Sequence, residues 1–97
     1  MRARKIDSNQ NAIVKQLRQL GFSVAITSMI GNGFPDLVIA KANFTALVEL
    51  KDGSKPPSAR KLTEDEIEFM DTWRGLYILA TDLDTILDTF KGKRNYL

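Results

Sequence analysis

The stretch that decides the fold runs from Gly33 to Gly53 and reads GFPDLVIAKANFTALVELKDG. Pro35 biases Phe34 toward an extended backbone. An apolar run, Asp36 to Ala40, follows and reads as a strand. Lys41-Ala42-Asn43 reads as a short hairpin turn, and Phe44 to Lys51 as the returning strand. Side chains alternate along a strand, so Glu49 and Lys51 fall on one face, and Ala46, Val48 and Leu50 on the other. The open end of this hairpin holds Asp36 and the Glu49–Lys51 segment together. Two charges closing an apolar strand are costly unless paired or bound to something. Asp36 and Glu49 are thereby candidates to share a cation.

Reading outward on the N-terminal side, residues 9–20 carry Ile13, Leu17 and Leu20 on one helical stripe, with Val14 beside it. Gly21 follows as a stop signal. Phe22 to Ile30 is rich in β-branched residues and reads as a strand, closed by the turn Gly31-Asn32-Gly33. On the C-terminal side, residues 52–62 form a loop with two prolines. Thr63 and Glu66 have capping-box spacing and open a second helix that ends at Gly75. Leu76 to Ala80 reads as a fourth strand. Thr81 or Asp82 caps a last helix with Leu83, Ile86, Leu87 and Phe90 on one face. The order is α-β-β-β-α-β-α. Three successive strands predict an antiparallel meander, and the intervening helix predicts a crossover to a parallel fourth strand. The expected class is α/β in the broad sense (α+β): a mixed sheet with helices packed against it, in one domain over residues 1–97.

Composition narrows the chemistry. The chain has no Cys and no His, so disulfides, thiol nucleophiles, His-based catalysis and His-ligated zinc are excluded. Catalysis must rest on carboxylates, Lys, hydroxyls or an ion held by oxygen, which suits Mg²⁺ or Mn²⁺. The net charge of +2 is small, but the bases are grouped. Arg2, Arg4 and Lys5 lie in a basic tail (1–6). Lys55, Arg60 and Lys61 follow Lys51 in the loop, and Lys91, Lys93 and Arg94 open a second basic tail (91–97). Such clusters fit phosphate contacts; solvated surface charge is the plainer reading. No apolar run is long enough to span a bilayer, and the basic start leads into no apolar segment. The expectation is a soluble intracellular protein.

The pair Pro35-Asp36, the triplet Glu49-Leu50-Lys51 and the element order αβββαβ together resemble the PD-(D/E)XK nuclease superfamily. Gly33–Leu37 and Val48–Gly53 look most like its small VRR-NUC and Holliday-junction-resolvase-like branch, whose stand-alone members occur in phages and bacteria. The resemblance covers roughly residues 7–88. It implies a restriction-endonuclease-like core with an added C-terminal helix. It implies a metal-dependent endonuclease that hydrolyses phosphodiester bonds in DNA, with branched or junction DNA as a favoured substrate. Asp36 and Glu49 would be metal-binding carboxylates, and the Leu50 carbonyl a further ligand. Lys51 would hold the attacking water and offset charge in the transition state. The resemblance further implies a homodimer, in some relatives domain-swapped, in the cytoplasm of a bacterial or phage-infected cell.

One departure stands out. Many members carry a Glu on the first helix, where this chain has Gln10 in a stretch without acid. A catalytically weak or inactive DNA-binding module of the same fold is therefore an alternative, as is a phage interaction protein. Glu66 falls where relatives often place a polar residue facing the site, although its role in the capping box is the simpler reading. Glu49 and Lys51 also have a plain reading, as a surface pair on an edge strand. Phe69 and Trp73 read as core.

Overall fold

The computed structural model describes residues 8–94, with side chains for Asn9–Gly92. It is a small α+β structure with three helices and one four-stranded mixed sheet. In chain order the elements are α1 (Ser8–Gln19), β1 (Ser23–Ile26), β2 (Leu37–Lys41), β3 (Phe44–Leu50), a 3₁₀ turn (Pro57–Arg60), α2 (Glu64–Thr72), β4 (Tyr77–Ala80) and α3 (Leu83–Arg94). The strands lie in the order β1-β2-β3-β4. The first three are antiparallel and β4 runs parallel to β3, as the meander and crossover predict.

The register of β2 on β3 fixes everything that follows. Lys41 pairs with Phe44, so the connection is two residues, Ala42 and Asn43, at φ 54° and 68°. Positive φ at both positions gives a turn whose twist matches the strands it joins. Leu37 then faces Val48 at the other end, which brings Asp36 level with Glu49.

α1 packs on β1, α3 packs on β4, and the two helices touch each other, so both cover the same face of the sheet. Ile13, Val14 and Leu17 of α1 meet Leu37, Ile39, Ala46, Val48, Leu50, Ile78 and Ala80 of the strands, and Ile86 and Phe90 of α3. These form one apolar cluster. The second half of β3, Ala46 to Leu50, is buried on both faces, as befits a strand with neighbours on each side. Glu49 is therefore not on a solvent-facing edge.

Three expectations are corrected. β1 ends at Ile26 rather than Ile30. The Thr27 amide donates to the Asp36 carbonyl and the Ile30 amide to the Thr27 carbonyl, so the chain turns where a longer strand was read. Leu20 lies beyond the end of α1 and is 44% exposed, so it leaves the buried stripe. Trp73 is 43% exposed rather than core; it stacks on Phe69 with ring centroids 5.6 Å apart. Among the described residues no helix is long and apolar enough to cross a membrane.

Candidate active site

The site forms where the hairpin's open end meets the start of α2. Asp36 is held from both sides. Its main-chain carbonyl accepts from the Thr27 amide at 2.8 Å, and the preceding Pro35 carbonyl accepts from Thr27 Oγ1 at 2.7 Å. Its carboxylate Oδ2 accepts from the Leu50 amide at 2.8 Å. Beyond the last paired residues, an Asp side chain thus takes the place of a strand partner. Gly33 locks the preceding turn onto α2. It is buried at φ +81°, and a Cβ there would lie 2.2 Å from the Asp65 carbonyl oxygen. Only glycine permits both that backbone and that approach.

Glu49 is only 2% exposed. Burial, then the charges of Asp36 and Glu66, push its pKa up to about 9, with Lys51 acting in the opposite direction. Its Oε1 is buried and accepts no hydrogen bond from the protein. Lys51 Nζ lies 3.6 Å from Glu49 Oε2 and 3.0 Å from Glu66 Oε1. Burial alone would lower the Lys51 pKa. The hydrogen bond to Glu66 and the charges of Glu66, Glu49 and Asp36 overcome it and raise the value.

Glu66 performs both of its candidate roles. Its Oε1 accepts from the Thr63 amide at 2.8 Å while its own amide donates to Thr63 Oγ1, which completes the capping box. The same Oε1 accepts from Lys51 Nζ. Burial opposes its ionisation, but the Thr63 amide and Lys51 hold its pKa below the ordinary value. Its charge is one of those that raise the Glu49 pKa, so of these two carboxyls Glu49 is the one that holds a proton.

The electrostatic sum is plain. Three carboxylates, Asp36, Glu49 and Glu66, surround one ammonium, Lys51. Buried charge must be balanced, and here the balance comes from a proton on Glu49 or from a cation. Among the described residues, no group of three or more His, Cys, Asp and Glu side chains forms a ready ion cage. Hard cations such as Mg²⁺ are commonly held by one or two carboxylates with water and phosphate oxygens. The acid excess and the unpartnered Glu49 oxygen suit that kind of site.

The other expected residues are more scattered. Gln10 is 2% exposed, and its Nε2 donates to Ser28 Oγ at 3.4 Å; this bond is to a hydroxyl, not to a carboxylate. Its neighbour Asn9 reaches the Lys51 carbonyl at 3.4 Å. Lys55 and Lys61 are exposed, whereas Arg60 is half-buried with its Nε enclosed and unpartnered. The ion pairs that Lys51 makes with Glu49 and Glu66 involve none of these three bases. Arg2, Arg4 and Lys5 lie outside the described residues, as do residues 95–97 of the second basic tail and the side chains of Lys93 and Arg94. Tyr77, whose hydroxyl feels the charges of Glu49, Glu66 and Asp36, was not among the expected site residues. Only the β3–β4 register reveals its place. Comparison with family models, curated proteins and solved structures gives no match to this chain.

Proposed function

We propose that this chain is a Mg²⁺- or Mn²⁺-dependent deoxyribonuclease on a restriction-endonuclease-like core, with Asp36, Glu49 and Lys51 as its working residues. The observation that carries the reading is the surplus of buried acid around Lys51. It lies at the one place where the Pro35-Asp36 and Glu49-Leu50-Lys51 motifs meet.

In this reading Asp36, Glu49 and the Leu50 carbonyl hold the cation. When bound, the cation supplies polarisation of the phosphate and a more acidic water. Glu49 would have to release its proton to solvent to serve as a ligand. Lys51 stays charged and donates to oxygen where negative charge builds on the phosphate. Glu66 keeps the Lys51 ammonium from collapsing onto Glu49. The Asp36 carboxylate, tied to the Leu50 amide, holds its remaining lone pairs in fixed directions. The substrate is DNA, with branched or junction DNA as the favoured form and a homodimer as the working assembly.

A second reading has its own support: α1 has no acid in its first turn, and Gln10 bonds to Ser28. The chain would then bind DNA without cutting it. Incubation with linear, nicked, flap and four-way DNA, in Mg²⁺, Mn²⁺ or EDTA, separates the two. Ion-dependent scission supports the nuclease. Binding that is indifferent to EDTA, with no scission on any substrate, selects the binding module.

A further inference from the structure

β1 is an outer strand of the sheet, and among the described residues it pairs with β2 alone. The Thr27 amide donates to the Asp36 carbonyl, which fixes the phase of the ladder. Backbone groups alternate in direction along a strand. Ser23 and Ala25 therefore turn theirs toward β2, and Val24 and Ile26 turn theirs outward. The bond from Arg18 Nη2 to the Val24 carbonyl, at 3.1 Å, agrees with that phase. Exposed edges are commonly blunted by charge or proline. β1 has neither, and residues 19–35 contain no charged side chain. Ile26 is 47% exposed, and Met29 and Ile30, just past the strand, are more so.

The two outward-facing residues are symmetric about Ala25. A second copy laid antiparallel along this edge places Val24 opposite the partner's Ile26, and Ala25 opposite the partner's Ala25. Each Val24–Ile26 pair then exchanges both of its hydrogen bonds. The Val24 carbonyl has a second lone pair for the partner's amide beside Arg18. A twofold centred on Val24 or Ile26 instead would satisfy only one of the two residues from within the strand. Ala25 is exposed and small, which suits the close approach of a pair without hydrogen bonds. With no charge in residues 19–35, no like charges of this segment meet across the axis. The edge is thus complementary to itself.

We propose that two copies of this chain associate through β1, antiparallel and centred on Ala25, to form one continuous sheet from two four-stranded halves. The twofold axis stands perpendicular to that sheet. Val48 and Leu50 point into the core beneath α1 and α3, so Glu49 lies on the other face. Both candidate sites therefore open on the same side of the assembly. Their β3 strands are five strand spacings apart, roughly 24 Å. The inference rests on the homodimer named as the working assembly, and not on the chemistry of the site.

The chain has no native cysteine, so single cysteines report the register directly. In the proposed pairing the two Ala25 Cα atoms lie about 4.5 Å apart, within the roughly 4.4–6.8 Å that a disulfide spans. The two Ser23 Cα atoms lie about 13 Å apart, too far to bridge. Ala25→Cys, at micromolar concentration in mild oxidant, should form a linked dimer that reductant returns to 10.9 kDa. Ser23→Cys, equally exposed on the same strand, should remain unlinked. Light scattering of the wild type runs alongside. A wild-type dimer in which Ala25→Cys does not link overturns the β1 interface and leaves the homodimer standing. Equal linking of both variants overturns the register. A wild type that is monomeric at every concentration overturns the interface and the homodimer together.

Discussion

Lys51 Nζ is closer to Glu66 Oε1, at 3.0 Å, than to Glu49 Oε2, at 3.6 Å. The carboxylate that completes the α2 capping box is thus the nearer partner of the ammonium. Helix position and Lys51 position are mechanically one. Glu66→Gln retains an acceptor for the Thr63 amide but removes the charge; Glu66→Ala removes both. The Ala variant should lose about 1–2 kcal/mol of stability, as when a helix cap is removed, and the Gln variant less. Cleavage by both should slow through turnover more than through the Michaelis constant. Thermal melting alongside steady-state kinetics checks this. Wild-type turnover in a folded Glu66→Ala protein would remove Glu66 from the site.

Asp36 has a structural duty as well as a proposed chemical one. Its carboxylate is the acceptor for the buried Leu50 amide. Asp36→Ala orphans that amide, at a cost of about 1–3 kcal/mol, so lost activity in this variant is ambiguous. Asp36→Asn keeps an acceptor and removes the charge. It should fold with a melting temperature near that of the wild type and fail to cleave DNA in Mn²⁺. Full cleavage by Asp36→Asn would falsify the assignment of Asp36 as a metal-binding carboxylate.

Glu49 predicts a pH dependence. Its folded pKa, about 9, lies above the ordinary value of 4.5. Between these values the folded chain binds more protons than the unfolded one, so stability falls as pH rises. The contribution is complete below about pH 4.5 and is lost as pH passes through 9. Glu49→Gln should flatten that slope and raise the ion-free melting temperature at about pH 8. In the wild type, Mn²⁺ should stabilise the fold more at about pH 8 than at about pH 6, because Glu49 is protonated at both and displacing its proton costs more at the lower pH. Melting curves at both pH values, with and without Mn²⁺, decide the point. An equal ion effect at both removes the link between ion and proton.

Much of this was readable from residues alone, and the exceptions have physical causes. The β2–β3 hairpin was legible because Val38, Ile39, Leu47 and Val48 flank a short turn and the period-2 pattern leaves little choice of register. That register in turn put Asp36 beside Glu49. The end of β1 was not legible, because Ser28-Met29-Ile30 have strand-like composition and turn only through the bonds of Thr27 to Pro35 and Asp36. Tyr77 and Ser28 were missed for a related reason. Their neighbours come from pairings distant in sequence, and neither sits in a motif. The exposure of Trp73 followed from α2 ending at Thr72, a boundary that helical periodicity leaves loose.

Assembly is open to a direct test. β1 is an edge strand, and Ile26, Met29 and Ile30 are 47%, 59% and 57% exposed along it and the following turn. An apolar edge of this kind favours association. We expect a homodimer closed through this edge. Met29→Lys with Ile30→Lys should return the mass to 10.9 kDa in light scattering, with little change in the monomer's fold. A domain-swapped form should not hinge at Gly31-Asn32-Gly33, because Gly33 is wedged against α2; the 52–62 loop is the better hinge. A wild-type mass of 10.9 kDa at every concentration removes the dimer and leaves single-strand nicking.

The basic loop calls for two separate variants. Lys55 and Lys61 are exposed, so replacing both with Ala should leave stability within about 0.5 kcal/mol of the wild type. Arg60 is different. Its Nε is buried, and its removal disturbs packing under the 3₁₀ turn as well as charge. A variant that includes Arg60 therefore mixes folding with binding. If Lys55 and Lys61 each neutralise a phosphate of duplex DNA, each releases a counterion. Every such lysine removed then lowers the slope of log affinity against log salt by about 0.9. The Lys55→Ala, Lys61→Ala protein should thus show a slope shallower by about 2, with weaker binding and no change in base preference. Fluorescence anisotropy over a salt series measures this. An unchanged slope assigns both lysines to the solvated surface and places the DNA path on other faces of the molecule.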